Sequence, residues 1–252
     1  MRFKVVIPAR YTSQRLPGKP LAQLHGKPLI LHVCERARES GADQVVVATD
    51  DERIQDACRA VGVTAELTRV DHESGTDRIA EVAKRAGWND EDIVVNLQGD
   101  EPLMPARAIR QVAELLNARS DAQLATLCTP VNSLAEYLNP NVVKVVSDRS
   151  GRALYFSRAP IPWNRDGADQ GLNSQRKWQG ACRHIGLYAY RVATLSRLTE
   201  LPVCELERLE KLEQLRAMWD GMHVVVAAAD ETPGPSVDTR EDLLQVANLM
   251  KV

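Results

Sequence analysis

The sequence has no run approaching the ~18 consecutive apolar residues of a membrane-spanning helix. A secretory signal is missing too: the first apolar run leads into a proline- and arginine-bearing loop with no cleavage region, which predicts a cytoplasmic protein. Excess charge of either sign is lacking. Lys and Arg number 32 against 34 Asp and Glu, a net charge of −2, so neither nucleic acid nor a membrane surface is expected as a partner. The five cysteines, Cys34, Cys58, Cys128, Cys182 and Cys204, form no C-x-x-C and are odd in number. That argues against a disulfide framework or a structural zinc site and suits small core residues in a reducing cytosol. The common glycine signatures for phosphates are also absent. Gly18 to Gly26 has the wrong spacing for a P-loop, Pro28 stands where Ser or Thr is required, and G-x-G-x-x-G does not occur. No internal repeat or low-complexity segment interrupts the chain. Its 252 residues, 44% apolar, suffice for one large α/β domain.

What is present begins at the amino terminus. Phe3 to Ile7 reads as a buried strand running into a loop that holds Arg10, Arg15 and Lys19 but no acid. Three cations this close repel one another unless an anion sits among them. Thr12, Ser13 and Gln14 add neutral donors, and Pro8, Pro17 and Pro20 stiffen the backbone. A basic, hydroxyl-rich loop at the carboxyl end of a first strand predicts polyphosphate binding, with side chains acting where glycine-loop amides act in other folds.

A helix is expected over Pro28 to Ser40, a strand over Gln44 to Ala48, a helix over Asp51 to Ala60 and a strand over Val63 to Leu67. This alternation predicts an α/β fold with a doubly wound, mostly parallel sheet. The strand Ile93 to Leu97 leads into Gln98-Gly99-Asp100-Glu101-Pro102. A carboxylate at the end of a buried strand suits a hard cation such as Mg²⁺, the plainer alternative for Asp100 being a turn residue before Pro102. A helix at Pro105 to Ala118, strands at Ala122 to Cys128 and Val142 to Ser147, and a short helix at Leu134 to Leu138 follow. From Arg152 aromatics and prolines gather, and Asn164 to Trp178 is polar and loop-like. Alternation over Arg183 to Arg191 places His184, Gly186, Tyr188 and Tyr190 on one strand face. Glu205 to Trp219 reads as one amphipathic helix, His223 to Ala228 as a strand and Arg240 to Met250 as the last helix.

Several polar residues admit two readings. Thr49 and Asp50 end a strand where ligands bind but also suit a helix N-cap, as do Ser74 and Thr76. His184 and Tyr188 can be plain packing or one wall of a pocket for a hydroxylated acid, with Arg158 offering a bidentate fork to a carboxylate. Glu213 is either an exposed helix residue or a carboxylate at the edge of an apolar stripe. Asp238 is either a second metal ligand or an N-cap, with Glu241 completing a capping box.

Ile7-Pro8-Ala9-Arg10-Tyr11 with Ser13, Arg15-Leu16-Pro17-Gly18-Lys19-Pro20-Leu21, Asn96-Leu97-Gln98-Gly99-Asp100-Glu101-Pro102, Arg183-His184-Ile185-Gly186-Leu187-Tyr188 and Leu212-Glu213-Gln214-Leu215-Arg216 resemble the sugar cytidylyltransferases. Within that family they resemble the enzymes acting on 3-deoxy-manno-octulosonate (Kdo). The resemblance implies a nucleotide-diphospho-sugar transferase-like fold, with a sugar-binding and dimerisation lobe inserted at about 152–200, and a homodimer. It implies CTP and Kdo as substrates, Mg²⁺ as cofactor, and CMP-Kdo for lipopolysaccharide assembly, with pyrophosphate, as products. By the same resemblance the nucleotide lies against Pro8, Ala9, Arg10, Ser13, Arg15, Lys19, Thr49, Asp50, Ser74, Gly75 and Arg78. Gln98, Arg158, His184, Tyr188, Glu213 and Gln214 face the sugar, and Asp100 and Asp238 hold metal. Arg10, Lys19 and Asp100 are the residues expected to carry catalysis, Asp100 either as a general base or as a metal ligand alone. The pattern departs at Val203-Cys204-Glu205-Leu206-Glu207, where the family often has Ser-Pro-Leu-Glu, and at Ser236 and Arg240, where Gly and Pro are common. A cytidylyltransferase for another acidic sugar of the sialic acid type, or a non-catalytic nucleotide sensor, are the alternatives.

Overall fold

The computed structural model describes residues 1–13, 15–168, 171 and 174–250. In chain order the first half runs β1 (Lys4–Ala9), β2 (Gln23–Leu24), β3 (Lys27–Pro28), α1 (Leu29–Glu39), β4 (Gln44–Thr49), α2 (Glu52–Arg59), β5 (Thr64–Leu67), α3 (Gly75–Arg85), β6 (Ile93–Asn96) and α4 (Ala106–Asn117). The second half runs β7 (Leu124–Pro130), α5 (Leu134–Leu138), β8 (Lys144–Ser147), β9 (Ala153–Ser157), β10 (Cys182–Arg191), α6 (Val192–Glu200), α7 (Glu205–Glu210), α8 (Gln214–Trp219), β11 (Val224–Ala228) and α9 (Arg240–Leu249).

Val5, Val6 and Ile7 are completely buried because β1 is central, pairing in parallel with β4 on one side and β6 on the other. The main sheet has the order β11-β7-β10-β6-β1-β4-β5, with β8 and β9 attached beyond β10. Both faces are covered. Val5, Ile7, Val47 and Val95 lie in a core shared with α1, α2 and α4. Val6, Val46 and Val94 lie in a second core shared with α3, α6 and α8. A parallel strand buried on both faces reads as an unbroken apolar run, as Val45-Val46-Val47 and Val94-Val95 do.

Among the described residues, β10 is the antiparallel strand inside the mostly parallel sheet, inserted between β6 and β7 and opposed to both. Tyr188 pairs with Asn96, so Cys182 to Gly186 runs on past the carboxyl end of β6, where it forms a wall over the Gln98–Glu101 turn. The segment 152–200 therefore shares its longest strand with the main sheet. Its described remainder includes β9 and the helix α6, neither of which the sequence pattern predicts.

The expected helix over 205–219 is two helices. Lys211 adopts φ 53°, a left-handed conformation rare for a residue with a Cβ, and ends α7. Val203-Cys204-Glu205 still enters that helix, with Cys204 as its N-cap. The break turns Glu213 inward, whereas Leu209 on the severed first piece is 72% exposed. Arg216 reinforces the corner: it grips Glu207 through Nε (2.8 Å) and Nη2 (2.7 Å).

Candidate functional site

The caps decide which polar residues remain available. Asp51 caps α2 by accepting from the Arg53 amide, so Asp50 is free of that duty. Its carboxylate accepts instead from the Tyr11 amide (3.3 Å) and from Arg78 Nη2 (3.0 Å). Thr49 is fully buried, and its hydroxyl accepts from the Asp51 amide. Ser74 and Asp77 form a complete capping box on α3, worth about 1 kcal/mol, so Ser74 does take the capping role. At α9 the capping box belongs to Thr239 and Asp242, not to Asp238 and Glu241. That leaves the Asp238 carboxylate free to face the basic loop.

It meets Lys19 there. Lys19 Nζ lies 2.6 Å from Asp100 Oδ2 and 3.2 Å from Asp238 Oδ1, and Arg15 Nη2 lies 3.0 Å from the same Asp238 oxygen. Two carboxylates 138 positions apart in sequence thus converge on one ammonium, drawn together in part by the Val237 amide donating to the Asp100 carbonyl (2.9 Å). Burial works against the charge on Lys19, but the two aspartates outweigh it and hold the ammonium above the ordinary lysine range. Burial pushes the neighbouring Glu101 carboxyl up to about 7, with Asp100 and Asp238 adding like charge. Sequence reasoning passed over Glu101, although it is the residue after Asp100.

This ion cluster lies where two cavities adjoin. One, of about 210 Å³, is lined by Pro8, Ala9, Arg10, Ser13, Lys19 and Asp100. The other, of about 700 Å³, is lined by Arg15, Glu101, Arg183, His184, Tyr188 and Asp238 among others, and Gln98 lines both. Gly99 keeps the floor low, since a Cβ there would stand 2.9 Å from the Pro8 carbonyl. Gly75 packs on the Pro8 ring from the α3 side, where a Cβ would come within 3.2 Å of Pro8 Cγ. Arg10 reaches across to the His72 carbonyl (2.7 Å). Gln14 lies outside the described residues.

In the larger cavity Tyr188 Oη and Gln214 Nε2 are buried without a hydrogen-bond partner among the described residues. Orphaned polar atoms on a cavity wall are groups a hydroxylated ligand would satisfy. Behind Gln214, Glu213 accepts from Thr76 Oγ1 (2.9 Å), and burial raises its carboxyl above the usual carboxylate range.

Three expectations need correction. Arg158 does not offer a free fork to a carboxylate: its guanidinium donates to the carbonyls of Glu210 (2.6 Å) and Pro140 (3.0 Å), and it is absent from the cavity lining. His184 does line the cavity, but not as a cation. Its ring packs edge-on against Phe156 and lies 3.0 Å from Thr126 Oγ1, and desolvation lowers its pKa to about 3. The cations in that lining are Arg15 and Arg183, the latter not anticipated from sequence. Arg78 is fully buried on Asp50 and Thr68, so it braces the 49–50 turn from behind instead of reading a ligand edge.

The state of His184 has a consequence for acid stability. The unfolded imidazole takes up a proton near pH 6.5, while the folded one resists until about pH 3. Between those values the unfolded state binds the additional proton, so this residue's contribution to stability falls as pH drops from about 6.5. H184Q is expected to flatten that part of the acid limb in thermal melts recorded between about pH 7 and 4, and an unchanged limb would contradict a neutral buried imidazole.

The two carboxylates fit a divalent cation. A hard Mg²⁺ takes one or two carboxylates and draws its remaining oxygens from phosphate and water. No group of three or more ligating side chains forms a self-sufficient metal site among the described residues. The like charge that Asp100 and Asp238 place on Glu101 is one that an added cation would offset.

Residues 4–224 match the family described as cytidylyltransferase. A 3-deoxy-manno-octulosonate cytidylyltransferase of Alkalilimnicola ehrlichii is 57% identical over 248 residues, covering 98% of this chain and 96% of that protein. The enzyme of the same name from Thioalkalivibrio sulfidiphilus is 54% identical over 252 residues, with both chains covered completely. A solved structure of CMP:2-keto-3-deoxy-manno-octonic acid synthetase complexed with CTP superposes with a TM-score of 0.88 at 43% identity, covering 99% of this chain and 98% of that one. A cytidylyltransferase structure from Leptospira borgpetersenii, at 18% identity and a TM-score of 0.60, shares the fold.

Proposed function

The chain belongs to the cytidylyltransferase family, and from that premise we propose that it transfers CMP from CTP to the anomeric 2-hydroxyl of Kdo, releasing pyrophosphate. The observation that carries this reading is the convergence of Asp100, Asp238 and Lys19 at the junction of a small basic cavity and a larger one with orphaned hydrogen-bonding groups. The smaller cavity takes the triphosphate and the larger takes the sugar.

Arg10 and Lys19 face the charge that builds on the α-phosphate and the leaving oxygens as the hydroxyl attacks in line, with Ser13 and Arg15 assisting. Donors fixed before the reaction stabilise such charge without reorganising during it. Asp100 and Asp238 would hold Mg²⁺, which supplies electrostatic stabilisation of the triphosphate and acidifies a nearby hydroxyl. Asp100 is also the carboxylate placed to accept the attacking hydroxyl's proton. Arg15 and Arg183 supply the positive charge for the sugar carboxylate, while neutral His184, Tyr188 and Gln214 bond its hydroxyls.

Two large exposed apolar side chains, Leu154 and Trp163, fall in the stretch that would dimerise, which supports a homodimer. Five free thiols suit a reducing cytoplasm. No helix among the described residues is long and apolar enough to cross a membrane.

The test is pyrophosphate release from CTP and Mg²⁺ with a panel of acidic sugars. Turnover with Kdo well above that with sialic acid is expected. Preference for sialic acid would reassign the sugar, and no release with any acidic sugar would leave a nucleotide-binding protein without this activity.

A further inference from the structure

Arg10 has no carboxylate partner in the ion pairs among the described residues; its Nη2 is held by the backbone carbonyl of His72 (2.7 Å). That carbonyl lies in the 68–74 connection between β5 and α3, a surface segment that would be free to move if nothing tied it down. Its anchor is a side chain on α3. The His72 imidazole Nε2 is hydrogen-bonded to Glu81 Oε2, and the same oxygen accepts from the Arg69 amide (3.0 Å). Arg85, one turn further along the helix, pairs with the other Glu81 oxygen. The His72 and Glu81 side chains are only 13% and 12% exposed, so water competes weakly for these bonds. Neither residue lines the two cavities that meet at Lys19.

We propose that His72 and Glu81 are positioning residues for the nucleotide: Glu81 clamps the 69–72 backbone to α3, and the clamped His72 carbonyl aims Arg10 at the triphosphate. This rests on the assignment of the smaller cavity to phosphates. Arginine has many side-chain rotamers to lose, so a fixed acceptor at the guanidinium spares the ligand much of the cost of ordering it. A displacement of about 1 Å at a positioned group costs as much as 10²-fold in rate.

A double-mutant cycle tests it, read first by calorimetric titration of CTP with Mg²⁺ and no sugar, and then, where turnover is seen, by the KM for the sugar. H72A is expected to weaken CTP binding by about tenfold while the KM for the sugar changes less than about twofold. H72Q, whose amide nitrogen can reach Glu81 as the imidazole does, should recover most of the loss. In an R10A background H72A should add less than about twofold, because the guanidinium it positions is gone. If H72A lowers the melting temperature by several degrees, E81Q is run through the same cycle. Additive losses in R10A, equal losses for CTP and sugar, or unchanged CTP affinity would each overturn the proposal. If CTP binding follows the cycle but no pyrophosphate is released with any acidic sugar, the positioning role stands and the proposed reaction does not.

Discussion

Replacing Lys19 by Ala is expected to lower kcat by about 10²–10³-fold, the range seen when a preorganised donor facing transition-state charge is removed. That corresponds to roughly 2.7–4 kcal/mol. The geometry adds a second effect that a general loss of structure would not produce. Lys19 is the ammonium shared by Asp100 and Asp238. Without it two carboxylates face one point with Arg15 on the Asp238 side alone. An unpaired, half-buried pair of like charges is unfavourable, so the free K19A protein should melt lower than the parent. The same pair should bind Mg²⁺ without nucleotide more tightly than the parent does, because the competing ammonium is gone. Steady-state kinetics and calorimetric titration of Mg²⁺ alone check both. Near-parental turnover would remove Lys19 from the chemistry, and unchanged Mg²⁺ affinity would separate it from the metal site.

The second large effect is expected at the aspartates. D100N and D238N should each cut turnover at fixed Mg²⁺ by on the order of 10²–10³-fold and shift the Mg²⁺ activation curve to higher concentration. Loss of fold is not the cause expected. Asp100 receives the Val237 amide through its backbone carbonyl, which an Asn retains, and the cap of α9 belongs to Thr239. Melting temperatures close to the parent are therefore part of the prediction. Activity at parental Mg²⁺ dependence in D238N would count directly against a shared metal, since Asp238 joins the site only by tertiary contact.

The parts of this protein legible from its residues are those governed by short-range pattern. Val5-Val6-Ile7, Val45-Val46-Val47 and Val94-Val95 are continuous apolar runs, and each became a strand buried on both faces. The helix over 134–138 was bounded as expected because its cap and apolar spacing are local. Elsewhere a long-range or single-residue effect prevails over the local pattern. The 205–219 stretch keeps helical spacing throughout, yet the left-handed turn at Lys211 splits it, and no periodicity reports one residue's φ. Arg158 and Arg183 are alike on paper. Their destinations differ because Glu210 and Pro140 carbonyls claim one, while the other lines the cleft from the overhang of β10, paired with Glu136 (3.3 Å).

Local pattern is enough for the doubly wound α/β architecture, the acid-free basic loop after β1 and the inventory of carboxylates, since composition and periodicity act over a few residues. Only the tertiary structure decided that Asp100 and Asp238 share one ammonium, that His184 is neutral, that Arg78 faces inward and that Glu81 reaches Arg10 through His72. Those outcomes depend on which caps release which side chains, on desolvation, and on an antiparallel strand threaded between β6 and β7. Each brings together groups far apart along the chain.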